Sequence, residues 1–194
     1  MSSPIPELPP AIPRRGSPLW KWIGRTALRL AGWRIEGNFP DAGRLVAAVA
    51  PHTSNWDFLL GAAAMFALDL KVSFIGKHTL FVWPFSAILR WMGGIPVDRS
   101  ASRGLVGEAV EAFRGEPSRV LAIAPEGTRK KVERFKTGFL HIARGAGVPV
   151  VLVGLDYSAR AVRVGPVIEV GEDIEAERRR VEAHFAKIPG RHPR

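Results

Sequence analysis

The chain has 194 residues, 46% hydrophobic and 24% charged, which fits one globular domain and excludes a disordered chain. Lysine and arginine total 28 against 18 acidic residues, a formal charge of +10, so acidic partners are expected: nucleic acid, an anionic membrane surface or a phosphorylated substrate. There is no cysteine, which excludes disulfides, a thiol nucleophile and cysteine-based metal sites.

Pro4, Pro6, Pro9, Pro10, Pro13 and Pro18 forbid a helix at the start and predict an extended, disordered arm over 1–18. That arm lacks the apolar run of a signal peptide. A helix is predicted over 19–33. Leu19, Ile23, Thr26, Leu30 and Trp33 share one face, with Lys21, Arg25 and Arg29 opposite. This pattern describes an amphipathic helix lying on an anionic membrane, and equally a surface helix packed on its own domain. No uncharged stretch reaches the ~18 residues of a spanning helix.

Leu45–Ala50, Val72–Ile75, Arg119–Ala124 and Val150–Leu155 read as short buried strands. Helical patterns cover Trp56–Leu68, Leu80–Met92 with Pro84 inside it, Arg103–Phe113, and Phe135–Arg144 ending at Gly145 and Gly147. A bent strand is expected over Ala161–Val170 and a last helix over Ile174–Ile188. The alternation predicts an α/β fold: one domain over 19–188 with a mostly parallel central sheet flanked by helices. Residues 189–194 read as a frayed basic tail.

Three segments carry chemistry. Pro51-His52-Thr53-Ser54-Asn55-Trp56-Asp57 follows a predicted strand directly, and strand ends are where ligand sites gather in α/β sheets. Asp57 in a first helical turn can orient one imidazole nitrogen of His52, leaving the other to take a proton from a hydroxyl. On this block alone a plain loop histidine, with Asp57 serving only the helix start, remains open. Ser54 is a nucleophile in principle, but no Gly-x-Ser-x-Gly elbow exists. Gly93-Gly94-Ile95-Pro96-Val97-Asp98-Arg99 gives a tight turn, a short strand and an arginine fork suited to phosphate, or a surface ion pair. Pro125-Glu126-Gly127-Thr128-Arg129 follows another strand. Gly127 admits a close ligand, Thr128 offers a hydroxyl, Arg129 a bidentate cation and Glu126 an acceptor. A basic solvated loop is the plainer reading of that segment.

In this order the segments resemble the glycerolipid acyltransferase family, of the lysophosphatidic acid (1-acylglycerol-3-phosphate) acyltransferase type. The resemblance runs from His52 and Asp57 through Lys77-His78-Thr79-Leu80-Phe81 and Trp83-Pro84-Phe85. It continues through Gly94 to Arg99, Pro125 to Arg129, Phe135-Lys136-Thr137-Gly138 and Val148-Pro149-Val150. It covers about residues 45–155. It implies transfer of a fatty acyl group from a thioester to a lysophospholipid hydroxyl. His52 would be the general base and Asp57 its orienter. Arg99, Arg129 and Lys77 would hold the acceptor phosphate, and Glu126, Gly127 and Thr128 the glycerol-like part. The resemblance implies no bound cofactor and no metal. Acyl-CoA or acyl carrier protein would be the co-substrate. It also implies a peripheral, monotopic place on the cytoplasmic side of an anionic membrane, without a transmembrane helix. Pro51, Ala124 and Lys130 depart from the family pattern and leave another acceptor open, such as a lyso-ornithine lipid. Nucleic acid is not expected: no helix-turn-helix, zinc or RNA-recognition signature accompanies the charge. The sequence does not give the oligomeric state.

Overall fold

A computed structural model describes residues 5–97, 102–128 and 132–191, the side chains at 102, 103 and 105 excepted. Among these residues seven strands form one sheet. They are β1 (Arg34–Gly37), β2 (Arg44–Ala50), β3 (Val72–Lys77), β4 (Gly94–Val97), β5 (Arg119–Ile123), β6 (Val150–Asp156) and β7 (Ala161–Ile168). Their spatial order is β1-β7-β6-β2-β5-β3-β4. The five from β6 to β4 run parallel. β7 turns back antiparallel to β6, and β1 joins β7 in parallel. β2 and β6 are apolar almost throughout and buried on both faces, which is why they sit in the middle.

Among the described residues six α-helices cover the sheet: α1 (Pro18–Leu30), α2 (Trp56–Ala67), α3 (Phe85–Trp91), α4 (Ser102–Arg114), α5 (Gly138–Ala146) and α6 (Ile174–Phe185). Two cores result, one per sheet face. Leu28, Ala64, Phe66 and Met92 bring α1, α2 and the end of α3 onto one face, against Ala47, Val120 and Val151. Phe113, Phe139, Leu140, Val181 and Phe185 bring α4, α5 and α6 onto the other, against Val46, Leu121 and Leu152. The predicted α/β domain with a mostly parallel sheet is the observed one.

Four details differ from the sequence expectation. Residues 5–17 are packed rather than loose. Leu8 and Ile12 are buried, the Arg15 N–H donates to the Asp69 carbonyl at 2.9 Å, and the Lys71 N–H donates to the Pro13 carbonyl at 2.9 Å. Prolines forbid a helix there, but two apolar side chains suffice to lay an extended segment on the core. The first helix stops at Leu30; Gly32 turns with φ of 70°, and a polar edge strand, β1, follows. The predicted helix over Leu80–Met92 is split, with a 3-10 turn over His78–Leu80 and α3 starting only after Pro84. A proline's missing N–H fits the first turn of a helix and not its middle. Finally, residues 189–191 lie on the β2–α2 loop instead of fraying. A Cβ on Gly190 would sit 3.0 Å from Thr53 Cγ2 and 3.1 Å from Pro51 Cγ.

Candidate active site

The parallel strands deliver the singled-out residues to one edge. β2 ends at Ala50, two residues before His52. β5 ends at Ile123, and Glu126, Gly127 and Thr128 follow. β3 ends on Lys77, which is exposed. β6 ends at Asp156, ahead of Tyr157. All four are C-terminal ends of parallel strands, where open α/β sheets place ligands. Arg99 and Arg129 follow β4 and β5 in the sequence and lie outside the described residues.

Asp57 is the fixed point of the site. Its side chain is 0% exposed. Oδ2 accepts from the backbone N–H groups of Thr53 and Ser54, both at 2.6 Å. Oδ1 accepts from the Tyr157 hydroxyl at 2.6 Å and from Ser54 Oγ at 3.4 Å. His52 Nδ1 lies 3.5 Å from Oδ2, and the imidazole is 30% exposed. Burial pushes the carboxyl pKa up, but the bonds from His52, Tyr157, Ser54 and Thr53 outweigh it and hold it below the usual value. The ionised carboxylate faces the imidazole Nδ1 and can orient the ring. Nε2 is left as the nitrogen that does not face the carboxylate.

The loop between them follows from its sequence. Ser54 Oγ accepts from the Trp56 N–H at 3.0 Å, and Asp57 bonds back to two N–H groups of the same turn. The Trp56 N–H is one of the unpaired donors of a helix start, while the Thr53 and Ser54 N–H groups belong to the turn ahead of the N-cap Asn55 and are held by the Asp57 carboxylate. Ser54 is buried and engaged in that turn, so the arrangement does not present it as a nucleophile.

Glu126 is 1% exposed, and its Oε2 accepts from the His52 N–H at 2.7 Å. This bond ties Glu126 to the loop that carries His52. Gly127 has φ of 65°, a region costly for other residues, and the Lys136 side chain lies over it. A Cβ there would sit 3.3 Å from Lys136 Nζ, which brings a further cation to this loop. Thr128 follows in the same loop. Asp156 is buried beside the site but serves the β6–β7 turn: it accepts from Ser158 Oγ, the Ala159 N–H and Arg163.

Two neighbours of the site were not legible from motif reading. Tyr157 stands 100 positions from Asp57, and only the adjacency of β6 to β2 brings them together. Arg191, from the tail, places its guanidinium 5.0 Å from the Trp56 ring centroid.

Fold and site define a class: an α/β domain with a histidine beside a buried carboxylate at the C-terminal edge of its parallel strands. The Acyltransferase family model matches residues 33–156, and the chain belongs to that family. It is similar to the 1-acyl-sn-glycerol-3-phosphate acyltransferase of Escherichia coli K12, with 27% identity over 201 residues, 92% of this chain and 80% of the relative. The enzyme of that name from Haemophilus influenzae is 28% identical over 142 residues, covering 69% of this chain and 58% of its own length. This chain thus spans less than two thirds of the Haemophilus relative. The crystal structure of the 1-acyl-sn-glycerophosphate (LPA) acyltransferase PlsC from Thermotoga maritima shares the fold. Its TM-score is 0.63 at 22% identity, over 86% of this chain and 75% of that one.

Proposed function

We propose that the chain is an O-acyltransferase that moves a fatty acyl group from a thioester to a lysophospholipid hydroxyl, with 1-acylglycerol-3-phosphate as the favoured acceptor. The observation that carries the reading is the His52–Asp57 pair, with its buried carboxylate, at the head of α2 in a chain of this family. His52 Nε2 takes the acceptor hydroxyl's proton as the oxygen attacks the thioester carbonyl carbon. The tetrahedral intermediate then collapses, the carbon–sulfur bond breaks, and the imidazolium returns the proton to the departing thiolate. The acyl group passes directly to the acceptor, so no protein nucleophile is needed. The 3.5 Å separation of Nδ1 from Oδ2 is a loose contact that tightens as positive charge develops on the ring.

Lys77, Arg99 and Arg129 hold the acceptor phosphate in this reading, and Gly127 and Thr128 the glycerol backbone. Glu126 acts one step back, by fixing the His52 backbone. The donor is acyl-CoA or acyl carrier protein.

The reading also sets the protein on a membrane surface. Among the described residues, no helix is long and apolar enough to cross a membrane. The large exposed apolar side chains fall in α1, α2 and residues 80–91, all but Ile95 and Val167. Helices α4, α5 and α6, on the opposite sheet face, contribute none among the described residues. Exposure this one-sided marks an interaction face. Lys21, Arg25 and Arg29 on α1 supply attraction to anionic lipid, and the cytoplasmic leaflet has that charge.

The test is an acyl-transfer assay with a panel of lysolipids, lyso-ornithine lipid included, and both thioester donors. Wild-type chain should transfer acyl groups, and His52→Ala should lose roughly 10²–10⁴-fold in rate, the usual worth of a general base. A folded His52→Ala variant with full activity would overturn the mechanism.

A further inference from the structure

Tyr157 is the chain's single tyrosine. It follows β6, the direct neighbour of β2, so the sheet carries its hydroxyl to the edge where His52 and Asp57 sit. The hydroxyl lies 2.6 Å from Asp57 Oδ1 and donates to it. Burial and the Asp57 carboxylate raise the phenol's ionisation far above its ordinary value, so the proton stays on the phenol. The other groups facing it are Ser54 Oγ from the β2–α2 loop and Arg191 from the tail. The ring is held independently of the hydroxyl. Its centroid lies 5.0 Å from that of Trp33 in an edge contact, and the Tyr157 N–H donates to the Pro189 carbonyl at 3.1 Å.

The two oxygens of Asp57 have divided tasks. Oδ2 faces His52 and takes two backbone N–H bonds. Oδ1 points away from the imidazole. Among the described residues its partners are Tyr157 and Ser54 Oγ, the latter at 3.4 Å, long for a hydroxyl donor. A fully buried carboxylate oxygen needs a good donor. Tyr157 is that donor, and it arrives from a rigid strand end rather than from the loop that carries His52.

We propose that Tyr157 is a positioning residue for the His52–Asp57 pair: its hydroxyl locks Asp57 with Oδ2 toward the imidazole. It acts through Asp57. Its hydroxyl bonds to Asp57, so its loss should reach kcat rather than KM. The kinetic side of this inference rests on the acyl-transfer reading above; the hydrogen bond does not.

The experiment has two arms. In the first, Tyr157→Phe keeps the ring and its contact with Trp33 while removing the donor. It should lower kcat about 10-fold, the worth of a hydrogen bond to a charged group, with KM within about twofold. The melting temperature of the variant reports that it is folded. Growth on 3-fluorotyrosine is the companion, because it labels position 157 alone. That protein keeps the donor and should retain kcat within about threefold, since the bond to a charged acceptor persists. In the second arm, 19F NMR follows ionisation of the fluorinated phenol with pH. Asp57→Asn should lower its midpoint by about one pH unit or more, because the negative acceptor is gone.

A Tyr157→Phe chain with wild-type kcat, or with KM raised in proportion to the lost rate, overturns the positioning role. A 19F titration that ignores Asp57→Asn overturns the hydrogen bond, whatever reaction the chain performs. Absence of transfer by the wild type to every acceptor strikes the acyl-transfer reading instead and leaves the titration to decide on the bond.

Discussion

At the scale of single residues, Asp57 shows how a chemical group can be legible while its support is not. The spacing His-x-x-x-x-Asp was visible in the sequence, because one loop and one helical turn contain both residues. Glu126 was visible too, but its side chain turns inward to the His52 N–H, and a buried acceptor of that kind leaves no local signature. Tyr157 has no motif at all, since its relation to Asp57 exists only once β6 lies beside β2. The hydrogen bonds to Asp57 predict a pH-dependent stability. Its carboxyl is held below the ordinary value near 3.8, so the stabilisation is fully present above that pH and fades as pH falls toward the depressed folded value. Asp57→Asn should therefore be less stable than wild type by about 2 kcal/mol at pH 7, the scale of hydrogen bonds to a charged group. The gap should narrow below about pH 4, where the carboxyl of the unfolded wild-type chain begins to take its proton while the folded one is still ionised. Urea denaturation of both proteins at pH 7, 5 and 3 measures it. A gap that stays constant to pH 3 would show that the ionised form is not what the bonds stabilise.

At the scale of elements, the strands were the most legible part, because β2, β5 and β6 are unbroken apolar runs with turn residues on either side. Helix α1 was legible as a helix and open in its orientation. Its apolar stripe through Leu19, Ile23 and Leu30 suggests burial, yet Leu19 and Leu30 are exposed, and the helix meets α2 through Gly24 and Leu28. Glycine there admits the close approach: a Cβ on Gly24 would run into the backbone of Ala63, Phe66 and Ala67. Hydropathy patterns register where apolar side chains are, and a glycine contact has no side chain to register. Two alanine substitutions separate the effects. Gly107 lies within α4 with open space around its Cβ position, so Gly107→Ala should stabilise by up to about 1 kcal/mol through helix propensity alone. Gly24→Ala has the same propensity gain, but the obstacle is backbone. It should destabilise by about 1–3 kcal/mol, the cost of forcing packed elements apart. Thermal melts of the pair read the difference, and equal stabilisation by both would mean that α1 is not seated on α2 through Gly24.

At the scale of the molecule, the charge of +10 and the apolar surface fall into a pattern that no single segment shows. Helix α1 buries Gly24 and Leu28 and leaves Leu19, Trp22 and Leu30 exposed. Trp22 is 65% exposed, and Trp83, ahead of α3, is 91% exposed. Trp91 at the end of α3 lies against Trp20 of α1, with ring centroids 4.9 Å apart, which binds the two helices into one surface. Trp22 and Trp83 stay exposed although Leu8 and Ile12 of the arm are buried, so the described residues leave them largely uncovered. A bilayer interface accepts Trp and Leu together with adjacent Arg and Lys. Vesicle flotation then has definite expectations. Anionic vesicles should bind the protein more tightly than neutral ones, and raising salt toward ~0.5 M should remove most of that preference by shortening the screening length. Trp22→Ser and Trp83→Ser should each weaken binding about 10-fold at any salt, since a partly inserted apolar side chain contributes on the order of 1–2 kcal/mol. Arg29→Ser should weaken binding to anionic vesicles only. Arg180→Ser, on α6 across the sheet, removes the same charge from the other face and should change binding little. Equal losses from Arg29→Ser and Arg180→Ser, with none from the tryptophans, would mean that net charge alone drives association and that the apolar face has another partner.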